Sequence, residues 1–242
     1  MEGPSIVIAT EELKKFYKKT PLNISAQSAE LKSLLESKKF LSADHWGKHL
    51  ILHFSKTYLR IHFLMFGSYR IDNPRENRIP KLKLEFENGT VYFYSCAIKE
   101  ISTQEYKDYD GEIDLMGEDW KNSRAVTKLK KYSEGMVCDL LMDQTIFAGL
   151  GNIMKNEILF LLKMHPETKI KELSEKRLKE LVKASQKYAW QFYEWKNQGV
   201  LKKNWQIFRK KKCPECGKAV TKKPTGKGKR MSHFCKNDQL KL

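Results

Sequence analysis

Alternating apolar and charged residues mark the first third of the chain as rich in β-strands. In residues 81–94, KLKLEFENGTVYFY, three apolar side chains at Leu82, Leu84 and Phe86 alternate with lysine and glutamate, which gives a strand one apolar face. Asn88-Gly89 predicts a hairpin turn, because a two-residue turn needs positive φ at both positions. HLILHF and TYLRIHFLMFGSYRI predict further strands, whereas TEELKKFYKK and SAELKSLLESKK predict short helices.

The pattern becomes helical after about Trp120 and stays so to Gln198. Ser174 is placed to cap the start of a long helix, because its side chain can accept a hydrogen bond from the first turn. One face of that helix is formed by Leu178, Leu181, Val182, Ser185, Tyr188, Ala189 and Phe192. The last forty residues are rich in lysine and contain three of the five cysteines. The chain therefore divides into a β-rich, a helical and a basic, cysteine-containing part.

The charge of the chain points to a polyanionic partner. Lysine and arginine number 46 against 29 aspartates and glutamates, which gives a net charge of +17 and an isoelectric point near 9.5. Nucleic acid is the commonest such partner. A membrane surface would fit the same charge, but the sequence shows no basic amphipathic helix, lipidation motif, signal peptide or transmembrane run. The odd number of cysteines favours a reducing compartment, and we expect a cytoplasmic protein, in the nucleoid if the source is bacterial.

A cysteine cluster near the end of the sequence predicts a structural zinc ion. Cys213 and Cys216 form a C-x-x-C pair, and Cys235 follows on a returning segment, as in a two-stranded zinc finger. The spacing favours Asp238 as the fourth ligand, whereas the chemistry of structural zinc favours His233. A metal-free pair of buried cysteines and a redox C-x-x-C motif are the alternatives.

A glycine turn interrupts two apolar helical patterns in LMDQTIFAGLGNIMKNEILF. A glycine-rich turn that opens a helix, here Gly149 to Asn152, directs backbone N–H groups outward, where they can bind a phosphate. Such a helix–turn–helix can bind the DNA backbone without reading its sequence. A simple helical corner with glycine caps explains the motif equally well.

Five segments in this order resemble the Fpg/Nei family of DNA glycosylases, which comprises formamidopyrimidine-DNA glycosylase and endonuclease VIII. They are MEGPS, WGKHL, RIHFLMFGSYR, the glycine-turn segment and CPECG…GKRMSHFCKNDQ. The resemblance spans the whole chain. It implies an α+β fold: an N-terminal two-layer β-sandwich with flanking helices at 1–116, a helix–two-turn–helix domain at 117–205 and a zinc-finger hairpin at 206–242.

The resemblance also implies a reaction. The family flips a damaged base out of the duplex, cleaves its glycosidic bond through a Schiff base at C1′ and breaks the strand by elimination. The nucleophile must be an amine with a free lone pair, and an α-amine, with a pKa of about 7.7–8.0, is better suited than lysine. The catalytic residues implied are the amine of Met1, the adjacent carboxyl of Glu2, Lys48 and Glu157.

The same resemblance implies that the partner is damaged duplex DNA and that the protein binds it as a monomer. Leu64, Met65 and Phe66 match the loop that fills the hole left by the flipped base, although three apolar residues before a glycine also suit a core. The implied phosphate contacts are His62, Asn152 and Arg230.

Departures from the family pattern define the alternatives. The family usually starts Met-Pro-Glu-Gly-Pro, whereas here Glu2 directly follows Met1, so a non-catalytic DNA-binding relative is one alternative. Cys138 replaces a lysine of the 8-oxoguanine branch, which favours the Nei-like branch. A zinc nucleobase deaminase, suggested by His165-Pro-Glu followed by C-x-x-C, is the other alternative, and it leaves Cys235 unexplained.

Overall fold

The computed structural model describes residues 1–240, which form two compact units. Met1 and Ser5–Tyr109 make the first unit, and Glu2–Pro4 together with the chain from Asp110 onward make the second. The α+β class expected from the sequence is confirmed. The division into domains at 1–116, 117–205 and 206–242 stays a prediction. In the part of the chain described, no helix combines the length and the apolar content needed to cross a bilayer.

The first unit contains six strands, two short helices and a third helix without its first two residues, which belong to the second unit. The helices are α1 (Gly3–Glu12), α2 (Ala29–Leu35) and α3 (Thr103–Lys107). The strands are β1 (Asn23–Ala26), β2 (Phe40–Trp46), β3 (His49–Phe54), β4 (Thr57–Ile71), β5 (Leu82–Phe86) and β6 (Gly89–Ile101). They pair antiparallel in the order β1-β5-β6-β4-β3-β2. The strands predicted at HLILHF and TYLRIHFLMFGSYRI, and the apolar face of β5, are confirmed.

The sheet is continuous and folds back on itself. Three strands lie between β2 and β5, which would separate them by about 19 Å in a flat sheet. The rings of Phe40 on β2 and Phe86 on β5 nevertheless lie 6.0 Å apart, and Phe16 stacks on Phe86 at 4.7 Å. The family resemblance implied a two-layer sandwich; the structure has a single six-stranded sheet in which β2 and β5 come together over a shared core.

A break in register gives β4 its exposed segment. Pairing with β6 stops after Phe63 and resumes at Ser68. Between them Leu64, Met65 and Phe66 are 50%, 78% and 74% exposed. Gly67 makes this bulge possible, because a Cβ there would lie 2.6 Å from the carbonyl oxygen of Ser95.

The second unit is mainly helical. Its helices are α4 (Asn122–Lys130), α5 (Val137–Leu140), α6 (Asn152–Leu161) and α7 (Glu175–Asn197), and an antiparallel hairpin of β7 (Thr221–Thr225) and β8 (Arg230–Phe234) follows. The buried face predicted for α7 is confirmed, and the side chain of Ser174 accepts a hydrogen bond from the backbone N–H of Arg177. The helical pattern therefore predicts the buried face and the start of this element correctly.

We predict that Gly67→Ala lowers the free energy of unfolding by about 1–3 kcal/mol, because the added methyl group meets backbone atoms that cannot move independently of the sheet. Urea denaturation measures the change. Glu100→Ala, at an exposed position of β6, is the control and should stay within about 0.5 kcal/mol of the parent. An unchanged midpoint for Gly67→Ala would show that the bulge accommodates a side chain.

Candidate functional site

The carboxylate of Glu2 is bound at the N-terminus of α6. Its Oε1 accepts a hydrogen bond from the backbone N–H of Ile153 at 2.8 Å, and its Oε2 accepts one from Met154 at 3.3 Å. The first N–H groups of a helix lack partners within the helix, and its dipole favours an anion there. A carboxylate held in this way has a fixed position and orientation.

The glycine turn leaves the space that this carboxylate occupies. A Cβ on Gly151 would lie 2.2 Å from the carboxyl carbon of Glu2, and Gly149 has a φ of +96°. The backbone N–H of Gly3 also donates to the carbonyl oxygen of Gly149 at 2.8 Å. The sequence left open whether this turn binds a phosphate or only caps a helical corner; the N–H groups of Ile153 and Met154 bind the chain's own Glu2.

Two of the implied phosphate contacts lie close together. Asn152 opens α6, and its side-chain amide donates to the carbonyl oxygen of Met231 at 3.1 Å. Arg230, the residue before Met231, is exposed and begins β8. The helix thereby holds the strand that carries Arg230 close to Asn152.

Lys155 is a buried residue of this region that the sequence analysis missed. Its ammonium group donates to the side-chain oxygen of Ser232 at 2.9 Å and to the carbonyl oxygen of Met231 at 3.4 Å. Burial lowers the pKa of Lys155 to about 8, and the positive charge of Arg230 contributes in the same direction. The available signal was the polar run at residues 155–157 inside an otherwise apolar helix.

Glu157 has a different environment from the one expected. It is fully buried, and its carboxylate accepts hydrogen bonds from the backbone N–H groups of Gln206, Ile207 and Phe208 at 2.8, 3.0 and 2.7 Å. Both oxygens are therefore engaged with the segment that follows α7. These contacts fix the segment after α7 to the helix, and the catalytic role that the family resemblance implied for Glu157 stays a prediction.

A cluster of basic groups lies in the first unit. Lys48 is half-buried and follows Gly47, which has a φ of +55° in the turn between β2 and β3. Burial lowers the pKa of His62, and the positive charges of the N-terminal amine and Lys48 lower it further. Burial, with His62 as the next cause, lowers the pKa of His49 to about 4. Both imidazoles are therefore neutral near pH 7, and the N-terminal amine of Met1 lies within electrostatic reach of His62.

The cysteine cluster forms a compact set of metal-binding groups. The ligand atoms of Cys213, Cys216, Cys235 and Asp238 all lie within 4.8 Å of one another. Cys213 donates to Oδ2 of Asp238 at 2.9 Å, and the sulfurs of Cys216 and Cys235 are 3.4 Å apart. His233 does not belong to this group, because its ring packs against Phe208 with the centroids 4.9 Å apart.

These four groups fit a tetrahedral zinc ion. Two thiolates bound to one zinc ion at about 2.3 Å lie roughly 3.8 Å apart, which is close to the spacing observed. Cys213 and Cys235 are buried with Phe160 and Ile207 in a small apolar cluster. A cation held there would fix the base of the β7–β8 hairpin to the rest of the unit.

The deaminase alternative does not match this geometry. That chemistry needs the histidine and the two cysteines on one zinc ion. The ring of His165 lies against Phe234, with the centroids 4.8 Å apart, and its Nδ1 accepts a hydrogen bond from the backbone N–H of Glu167. In the described part of the chain, His165 does not join the cysteine cluster.

Two family models match the chain. Residues 7–97 match the formamidopyrimidine-DNA glycosylase N-terminal domain, and residues 114–191 match the formamidopyrimidine-DNA glycosylase H2TH domain. A crystal structure of Lactococcus lactis formamidopyrimidine-DNA glycosylase, non-covalently bound to DNA with an AP site, has a TM-score of 0.87 at 27% identity and covers 100% of each chain. The chain therefore has the fold of a known DNA glycosylase.

Curated relatives agree with these matches. Endonuclease 8-like 3 from Mus musculus is 32% identical over 228 residues, which cover 90% of this chain but 38% of that protein. Endonuclease 8 from Enterobacter is 28% identical over 193 residues, 73% of each chain. The chain thus spans about two fifths of the length of the mouse relative.

We predict one bound zinc ion per chain. Cys213→Ala should abolish zinc retention and Asp238→Ala should weaken it, because each removes a ligand from the four-membered set. Elemental analysis of the purified protein, with and without a chelator, measures the stoichiometry. His233→Ala is the matched control and should retain its zinc. Zinc loss in His233→Ala with full retention in Asp238→Ala would reverse the assignment of the fourth ligand.

Proposed function

Because the chain belongs to the Fpg/Nei family of DNA glycosylases, we propose that it is a base-excision-repair enzyme that removes an oxidised base from duplex DNA and then cleaves the strand. The proposal covers both a glycosylase and an AP lyase activity. It places the protein with the Nei-like branch, in keeping with the Endonuclease 8-like relatives.

In the proposed reaction, the α-amine of Met1 attacks C1′ of the damaged nucleotide. The bond between C1′ and the base breaks, the base leaves with a proton, and loss of the ring oxygen from C1′ gives an iminium ion. This electron sink permits removal of a proton from C2′ and expulsion of the 3′ phosphate by β-elimination, and a δ-elimination can then release the 5′ phosphate. Glu2 is the proposed proton donor and acceptor at the sugar, and Lys48 is a second amine for the same chemistry.

The observation that carries the proposal is the fixed position of Glu2. Its two hydrogen bonds to α6 hold the carboxylate that directly follows Met1 in the chain. A general acid or base contributes only when it is placed correctly relative to the reacting atoms. A mobile Glu2 would lack this placement, so these contacts support the proposed role of Glu2 as a general acid and base.

Features of each unit support contact with damaged DNA. The exposed side chains of Leu64, Met65 and Phe66 are suited to fill the space of an extruded base, because apolar groups can take its place in the stack. His62, Asn152 and Arg230 are proposed phosphate contacts. The excess of positive charge supports binding through the backbone.

A zinc ion in the cysteine cluster has a structural role in this proposal. Cys213, Cys216, Cys235 and Asp238 would hold it. When bound, such an ion cross-links the hairpin and supplies folding free energy. With the hairpin held in this way, β8 presents Arg230 to the DNA.

A non-catalytic DNA-binding relative is the second candidate. The observation that favours it is the sequence at the N-terminus, where Met1 provides a primary amine in place of the proline usual in the family. A primary amine forms an imine that can lose its proton, which makes a poorer electron sink than an iminium ion fixed by a ring. This candidate retains DNA binding and lacks strand cleavage.

Borohydride trapping on a duplex with an abasic site distinguishes the two candidates. We expect a covalent adduct in the N-terminal peptide, identified by mass spectrometry. Glu2→Gln should slow strand cleavage about 10²- to 10⁴-fold, because it removes a general acid–base group. Lys48→Met is the companion variant and should retain an adduct at Met1. Labelling at Lys48 alone would exclude Met1 as the nucleophile, and DNA binding without any adduct would support the non-catalytic candidate.

Arg230→Ala should weaken binding to all duplexes and lower the slope of log affinity against log salt by about one unit, because one phosphate contact is lost. Titrations at several salt concentrations measure the slope. Arg124→Ala is the matched control, because its guanidinium already lies 3.7 Å from the carboxylates of Asp110 and Glu112. An unchanged slope for Arg230→Ala would show that this side chain does not contact the backbone.

A further inference from the structure

The turn between β7 and β8 is held by a carboxylate from a distant part of the sequence. Asp139 lies on α5, and its two oxygens accept hydrogen bonds from the backbone N–H groups of Lys227 at 2.8 Å and Gly228 at 3.0 Å. Consecutive N–H groups in a turn form a small concavity that binds an anion. Here the anion is a side chain of the protein itself.

Glycines in the turn allow the carboxylate to approach. Gly226 has a φ of +68°, and a Cβ there would lie 2.4 Å from both oxygens of Asp139. A Cβ at Gly228 would lie 3.2 Å from one of them. The turn is therefore shaped around this carboxylate.

The backbone next to Asp139 is itself anchored by hydrogen bonds. The flanking N–H groups of Val137 and Cys138 donate to the carbonyl oxygens of Thr168 and Pro166 at 2.9 and 3.0 Å. A short helix with such anchors is a rigid support. The position of the turn therefore follows the position of α5.

Arg230 lies between two fixed points. Asp139 holds the backbone N–H of Gly228, two residues before it, and Asn152 holds the carbonyl oxygen of Met231, the next residue. Arg230 itself is exposed and begins β8. Loss of Asp139 would free the turn side of this arrangement and leave the other side in place.

We propose that Asp139 is a positioning residue for DNA binding: it fixes the β7–β8 turn so that Arg230 is ordered before it meets a phosphate. The inference rests on the phosphate contact of Arg230 in the proposed function. Asp139 carries a negative charge beside a lysine-rich turn that is proposed to lie near DNA. If Asp139 acted only through this charge, it would repel the DNA phosphates. Removal of that charge should tighten binding if charge were its whole effect, and removal of a positioning group should weaken binding.

The test measures the dissociation constant for a duplex with a tetrahydrofuran abasic analogue, over several salt concentrations. Asp139→Ala should raise the dissociation constant about tenfold, since charge-assisted hydrogen bonds that order the turn are lost, and should lower the salt slope by about one unit. Glu118→Ala, which removes a charge from an exposed position of the same unit, should leave binding unchanged or slightly tighter.

A double-mutant cycle separates positioning from general loss of structure. In an Arg230→Ala background, Asp139→Ala should change the dissociation constant by less than about twofold, because the side chain that it positions is gone. Asp139→Asn keeps one acceptor and should give an intermediate loss of binding, with an unchanged zinc content and unfolding midpoint in urea.

Each outcome is decisive. If Arg230→Ala weakens binding but Asp139→Ala and Asp139→Asn leave it unchanged or tighter, the positioning role is wrong and the proposed function stands. If the two effects add fully in the cycle, Asp139 acts independently of Arg230 and the inference is wrong. If Arg230→Ala itself has no effect, the phosphate contact fails, and the inference fails with it.

Discussion

The structure of the second unit depends on the hydrogen bonding of polar side chains buried along α6. Lys155, Asn156 and Glu157 are consecutive and almost fully buried. A buried polar group without a partner costs on the order of 1–3 kcal/mol, and a buried charge costs more. Lys155 donates to Ser232, Asn156 accepts from the backbone of His233, and Glu157 accepts from the segment after α7. Each requirement fixes another part of the chain against the helix.

The same helix thereby positions the groups assigned to function. Its N-terminus binds Glu2, its first residue Asn152 lies beside the strand of Arg230, and the strand itself is held by side chains one turn further along. Functional groups that lie on or against rigid elements keep their geometry better than groups on loops. Conservative changes on α6 that spare every residue in direct contact with DNA can therefore still alter binding.

Features with a local periodic signal could be predicted from the sequence. The alternation at Leu82, Leu84 and Phe86 gives the buried face of β5, and the helical period gives that of α7. Leu64 to Phe66 could not be placed from their composition, since an apolar run before a glycine suits both a core and an exposed bulge. Only the register break against β6 places these side chains at the surface.

Most of the features that could not be predicted from the sequence depend on partners that are distant in the chain. Glu157 has the charge of a surface position, and its burial follows from backbone N–H groups about fifty residues later, for which no pattern in α6 gives a sign. The choice between Asp238 and His233 depends on which side chain turns toward the cysteines. Spacing favoured the aspartate, and the packing of His233 on Phe208 shows why the ring lies elsewhere.

The bond between Glu2 and Ile153 also constrains the order of folding. It joins residues 151 positions apart, so closing it has a high entropic cost and no local structure can substitute for it. During synthesis Glu2 emerges long before Ile153 is made, so the nascent chain cannot hold this carboxylate until α6 exists. Glu2 consequently reaches its native contacts only once α6 has been made, and a chain truncated before α6 would lack the backbone N–H groups that hold this carboxylate.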